Sequence, residues 1–97
     1  MSTTVLSELQ VKPEEIDEMI SYLKEILPDT RVYEGFQSIE VQQNQEDSFN
    51  LVLVEKWDSR QHYEKYLGWR IETGVIDKLS SMLSQPASIC YYDQVDA

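Results

Sequence analysis

Residues 51–54 read Leu-Val-Leu-Val, and Glu55, Lys56 and Trp57 follow without a break. In a strand, Leu51 and Leu53 face one way and Val52 and Val54 the other. A sheet face open to water usually shows apolar and polar side chains in alternation, and this stretch does not alternate. The pattern therefore calls for a fold in which one strand is covered on both sides.

The flanking sequence supplies other strands and some of the cover. Val5, Leu9 and Val11 share one parity, with Ser7 between them, which is a strand pattern. Pro13 suits a first helical turn, and Glu14, Glu15, Asp17 and Glu18 complement its positive end. Ile16, Met19, Ile20, Leu23, Ile26 and Leu27 form one apolar helical face, which Pro28-Asp29 is expected to end. Arg31 to Gln43 reads as a second strand, with Gly35 marking a bulge or a close approach to the backbone. Asn44 to Ser48 is a polar turn that makes a hairpin with a third strand, Phe49 to Trp57. Asp58 is the expected helix N-cap, with Gln61 three residues later as in a capping box. Tyr63, Tyr66, Leu67 and Arg70 share one side of the helix that follows. Ile71, Val75, Leu79, Met82 and Leu83 mark its second part, bent or divided by Gly68 and Gly74, and Gln85-Pro86 ends it. Ala87 to Val95 reads as a fourth strand, with Ala87, Ile89, Tyr91 and Val95 on one parity.

Strand, helix, strand, strand, helix, strand is the order of the ferredoxin-like split βαβ motif, an α+β sandwich with both helices on one face of an antiparallel sheet. At 97 residues, 41% apolar and 27% charged, the chain reads as one globular domain over 1–97. Two helices cover one sheet face, and no third layer remains for the other. The simplest cover is a second copy of the chain, sheet against sheet, so a homodimer is expected. The alternative is that Val52 and Val54 are only strand formers on a solvated face.

Eighteen acidic against eight basic residues give a net charge of −10, with no basic block, which argues against nucleic acid and anionic membrane as partners. Cys90 is the single cysteine, so neither an internal disulfide nor a cysteine metal cluster is available, and its strand setting predicts a buried, inert thiol. The first residues carry no basic segment followed by an apolar run, and nothing approaches the roughly 20 apolar residues of a membrane span, so a cytoplasmic location is the default expectation.

Four stretches, "VKPEEIDEMISYLKEIL", "YEGFQSIEV", "LVLVEKWDSRQHYEKYL" and "YYDQV", resemble the antibiotic biosynthesis monooxygenase family over about Val5 to Val95. The more specific parts are Glu34-Gly35-Phe36 with Ser38, and Glu55-Lys56-Trp57 with the helix behind it. The resemblance implies a ferredoxin-like subunit, a dimeric α+β barrel, and a ligand pocket between sheet and helices. Some members oxygenate polycyclic phenols to quinones without metal or flavin, and others degrade haem. The family pattern matches at Trp57 and Tyr63. It departs at Leu53, where quinone-forming members carry an amide, and at Leu67, where haem-degrading members carry the haem-ligating histidine. The resemblance therefore implies no cofactor here.

Oxygenation without a cofactor needs an electron-rich, deprotonated substrate in a dry pocket, with hydrogen bonds to the phenolate and a base. Trp57, Tyr63 and His62 are the candidate catalytic residues. Tyr66, Arg70 and Phe36 are the candidates for holding a small aromatic molecule. Four have a plainer alternative: Trp57 as a core plug, Tyr63 and Tyr66 as amphipathic cover, His62 as an exposed or capping side chain. Glu55, beside four apolar residues, is expected to pair with Arg70 or with Lys56 of a second copy, or to lie near the sheet edge. No metal-ligand spacing and no glycine-rich phosphate loop occurs. The expected function is a cofactor-independent monooxygenase taking a small phenol or quinol to a quinone. The alternative is a non-catalytic small-molecule-binding or stress-response dimer of the same fold.

Overall fold

The computed structural model describes residues 2–97. Its strands are β1 (Thr3–Gln10), β2 (Phe36–Gln43), β3 (Asn50–Trp57) and β4 (Ser88–Tyr92). A 3-10 turn at Pro13–Glu15 leads into α1 (Ile16–Arg31), while α2 (Arg60–Glu72) and α3 (Val75–Ser81) lie between β3 and β4. All pairings are antiparallel and the sheet order is β2-β3-β1-β4, the ferredoxin-like arrangement.

The parity of β3 sets the layers. Leu51, Leu53, Glu55 and Trp57 are buried and face the helices, level with Leu9, Ser7, Val5 and Thr3 of β1. Val52 and Val54 point to the helix-free face and are half-buried in the single chain. There Val54, Leu6 and Cys90 lie side by side across β3, β1 and β4. Cys90 is exposed, against the expectation of a buried thiol, because β4 is an edge strand and turns this residue to the face the helices do not cover.

The covered side holds two packed groups. Leu9, Met19, Leu23, Leu27, Leu51 and Leu53 belong to an aliphatic core under α1. Val5, Trp57, Tyr63 and Tyr66 form an aromatic one under α2. Trp57 is fully buried, with ring centroids 4.9 Å from Tyr66, 5.5 Å from Phe36 and 5.8 Å from Tyr63.

Several expected boundaries move. Pro28 does not end α1, which runs to Arg31. A proline inside a helix costs about 3 kcal/mol. The last turn is held by Thr30, which is fully buried and bonded to the Tyr66 hydroxyl at 2.7 Å, and by Arg70, which donates to the Ile26 carbonyl at 2.6 Å and to Thr30 Oγ1 at 3.0 Å. Charge-assisted bonds of this kind contribute about 1.5–3 kcal/mol each, enough to offset the proline. Strand β2 starts at Phe36 rather than Arg31, and its pairing slips between Phe36 and Ser38, just after the glycine at which a bulge was expected. Gly35 itself has φ 85°, and a Cβ there would overlap the His62 ring, so it serves the close approach. The cap of α2 is Ser59, whose hydroxyl accepts the His62 N–H at 3.2 Å. Asp58 instead accepts from Gln37 Nε2 and donates its backbone N–H to the Gly35 carbonyl. Gly68 stays inside α2, and the break falls at Gly74, φ 83°. Strand β4 stops at Tyr92, leaving Val95 outside it and exposed.

Candidate functional site

A cavity of about 100 Å³ lies where the aliphatic and aromatic cores meet, on the helix-covered side of the sheet. Strands β1 and β3 give it Ser7, Leu53 and Glu55, helix α1 gives Leu23, Ile26 and Leu27, and α3 gives Val75, Ile76 and Leu79. Helix α2 gives Tyr63, Tyr66, Leu67 and Arg70, spaced so that one helical side faces inward.

The polar groups sit on an otherwise apolar wall. Tyr63 is buried. Burial pushes its hydroxyl well above the usual tyrosine range, the Glu55 charge pushes the same way, and the Ser7 hydroxyl beside it acts against both. Arg70 is 4% exposed. It donates through Nε to the Tyr66 hydroxyl at 3.0 Å and through Nη2 to α1, with its guanidinium 4.4 Å from the Trp69 ring centroid. Among the described residues no carboxylate pairs with it.

Glu55 neither pairs with Arg70 nor lies at the sheet edge. It lies on an inner strand, 4% exposed, and accepts the Trp57 indole N–H at 3.1 Å through Oε1. Burial raises its carboxyl from 4.5 to about 7, and the indole bond pulls the other way. Its parity with Leu51, Leu53 and Trp57 was the sequence signal that it belongs on the helix side. Ser7 carries the same signal between Val5 and Leu9.

Of the six candidates, Tyr63, Tyr66 and Arg70 come together at the cavity. Trp57, a candidate catalytic residue, does not border it. It is fully buried behind the wall, packed against Tyr63 and Tyr66 and donating its indole N–H to Glu55, all three of which line the cavity. Phe36 packs edge-on against Trp57 and does not line the cavity. His62 lies outside the cavity lining. Its Nδ1 is 2.7 Å from Ser59 Oγ, its ring packs on Gly35, and Nε2 is 3.9 Å from Glu34. Among the described residues no group of three His, Cys, Asp or Glu side chains could hold a metal ion, and no helix is long and apolar enough to cross a membrane.

A ferredoxin-like sheet with a cavity between it and its helices defines a class of small α+β proteins. The model of the antibiotic biosynthesis monooxygenase family matches residues 2–69, and the chain belongs to that family. Membership supports a monooxygenase-type function. The fold is shared with a conserved protein from Methanosarcina mazei Go1, at 23% identity over 98% of this chain and 94% of that one, TM-score 0.90. It is similar to Rv0793 from Mycobacterium tuberculosis, at 18% identity over 100% and 98% of the two chains, TM-score 0.87. A third similar structure is named an antibiotic biosynthesis monooxygenase, at 20% identity over 96% and 98%, TM-score 0.86. Among curated proteins none matches.

Proposed function

We propose that the chain is a cofactor-independent monooxygenase that oxidises a small aromatic phenol or quinol to a quinone. One atom of O₂ enters the ring, the other leaves as water, and the substrate supplies both hydrogens. The observation that carries this reading is the small apolar cavity with Tyr63, Tyr66 and Arg70 on its wall. Such a cavity keeps water from the reacting ring, and hydrogen bonds set in a dry site stabilise developing charge more than they would in water. The guanidinium without a carboxylate suits an anionic oxygen. Leu53 in the same lining, in place of an amide, favours the second reading, a binding protein without chemistry of its own.

Oxygen uptake with a panel of hydroquinones separates the two. The monooxygenase reading expects saturable uptake that a chelator does not change. Saturable binding with no uptake selects the second reading. Tyr63→Phe is expected to lower turnover or affinity up to about tenfold while leaving melting nearly unchanged, since one neutral hydroxyl bond is worth about 0.5–1.5 kcal/mol. A variant silent in every ligand assay assigns Tyr63 to packing alone.

The working unit is proposed to be a homodimer, joined through the helix-free face of the sheet. Leu6, Val52, Val54 and Tyr92 present apolar surface there, and Tyr92 is 48% exposed in the single chain. Replacing both Val52 and Val54 by Asp should give monomers or insoluble protein, because an unpaired charge is costly to bury. A soluble, fully stable dimer of that double variant in sedimentation would exclude this interface.

A further inference from the structure

We propose that Glu55 is the proton acceptor of the cavity, taking the hydroxyl proton of a bound phenol on its free oxygen, Oε2. The proposal rests on the reading of the cavity as a phenol site and assigns that site its base.

Three observations place Glu55 in this role. Its backbone is fixed on β3, paired to Val5 on one side and Ile39 on the other. Its Oε1 is occupied by the Trp57 indole N–H, which holds the carboxylate plane in one orientation. Among the described residues its Oε2 has no partner, and no fully buried side-chain oxygen there lacks one. Oε2 therefore keeps open surface, and the space that Glu55 lines is the cavity. An acidic side chain with one oxygen anchored and the other facing an apolar hollow is positioned to receive a proton.

The groups around it complete the exchange. Helix α2 presents Tyr63, Tyr66 and Arg70, and β4 presents Tyr91 opposite Val5. The lining residues of α1 and α3 carry no titratable side chain. In the step, the phenol O–H bond breaks, an Oε2–H bond forms, and the substrate becomes a phenolate. No electrons change hands, and the net charge of the cavity stays the same. Arg70, with no carboxylate of its own, offsets the negative charge before and after. Burial holds Glu55 near 7 rather than 4.5, which brings it about two orders of magnitude closer to a phenol in the ionisation equilibrium.

The test uses the wild-type protein, Glu55→Gln and Glu55→Asp, with 3-nitrophenol as probe. Its phenolate alone absorbs in the visible, and near neutral pH the free dye is mostly the phenol. Glutamine can still accept the indole N–H, so the Gln variant keeps the anchor and loses the base. Binding to wild type should bring up the phenolate band, Gln should abolish it, and Asp should restore part of it. Dye bound to wild type as the neutral phenol, or not bound at all, overturns the proposal. So does an equal phenolate band in Gln. With a hydroquinone that the wild type turns over, Gln should cost about 10²–10⁴-fold in rate. It should also lose the rise in rate as pH passes through about 7. An unchanged rate in Gln removes Glu55 as the base and leaves the monooxygenase reading standing. A wild-type phenolate band without turnover of any hydroquinone does the reverse.

Discussion

Wild-type protein should lose about 3 kcal/mol of stability as pH rises from about 4.5 to above 7, relative to Glu55→Gln. The carboxyl titrates near 4.5 when unfolded and about 7 when folded. Between those values the folded state holds the extra proton, so raising the pH favours unfolding. Stability is highest below the unfolded value, falls through the folded value, and is level above it. The glutamine variant cannot ionise at this position and lacks that slope. Urea titrations of both proteins across this range, at one protein concentration, measure the difference. A difference that stays flat, or that grows in favour of wild type with pH, would exclude a carboxylate buried in this way. The same burial that makes Glu55 a candidate base thus makes it a stability cost at neutral pH.

Trp57→Ala should cost about 3–5 kcal/mol, the usual range for removing a large aromatic side chain from a core. Trp57 is fully buried, and its ring meets Phe36, Tyr63 and Tyr66 at 4.9–5.8 Å. A urea midpoint that moves with an unchanged slope gives the cost directly. Trp57→Phe keeps most of the packing and removes the N–H that holds Glu55 Oε1. Its stability loss should be smaller, and the pH step described for wild type should move upward, because that hydrogen bond is what pulls the carboxyl down. A step that stays in place would mean the indole is only a packing group.

Much of the fold was legible because burial imposes periods on sequence. The apolar stripe from Met19 to Leu27 and the parity of Leu51, Leu53 and Trp57 each follow from one surface meeting one core. What was not legible depends on partners far away in the chain. Pro28 reads as a stop until Arg70 and Tyr66, some 40 residues on, tie down the turn beyond it. Cys90 reads as buried until the sheet order puts β4 at an edge. Asp58 and Ser59 are both competent caps, and the choice fell to Ser59 because Gln37 and Gly35 engage Asp58 from the neighbouring strand and turn. In the site, Tyr63, Tyr66 and Arg70 could be grouped by helical spacing. Glu55 reads as a paired or edge carboxylate, since a buried carboxylate held only by an indole has no signature in sequence.

The guanidinium of Arg70 sews α1 to α2, and this gives the cavity walls unequal stiffness. The wall built by Tyr66 and Arg70 is cross-braced, within itself and to Ile26 and Thr30 of α1, by directional bonds of 2.6–3.0 Å. The wall built by Leu23, Leu53, Ile76 and Leu79 has only dispersion contacts, which side chains can remake by changing rotamer. A ring admitted between them would meet a rigid template on one edge and a yielding cushion on the other. An oxygen displaced by one ring position would leave a buried polar group unpaired, which a braced wall cannot move to repair. An added methyl on the opposite edge would alter affinity only by about the 0.8 kcal/mol of one buried methylene. Selectivity should therefore be strict for where a ligand carries its oxygen and lenient for its alkyl substituents.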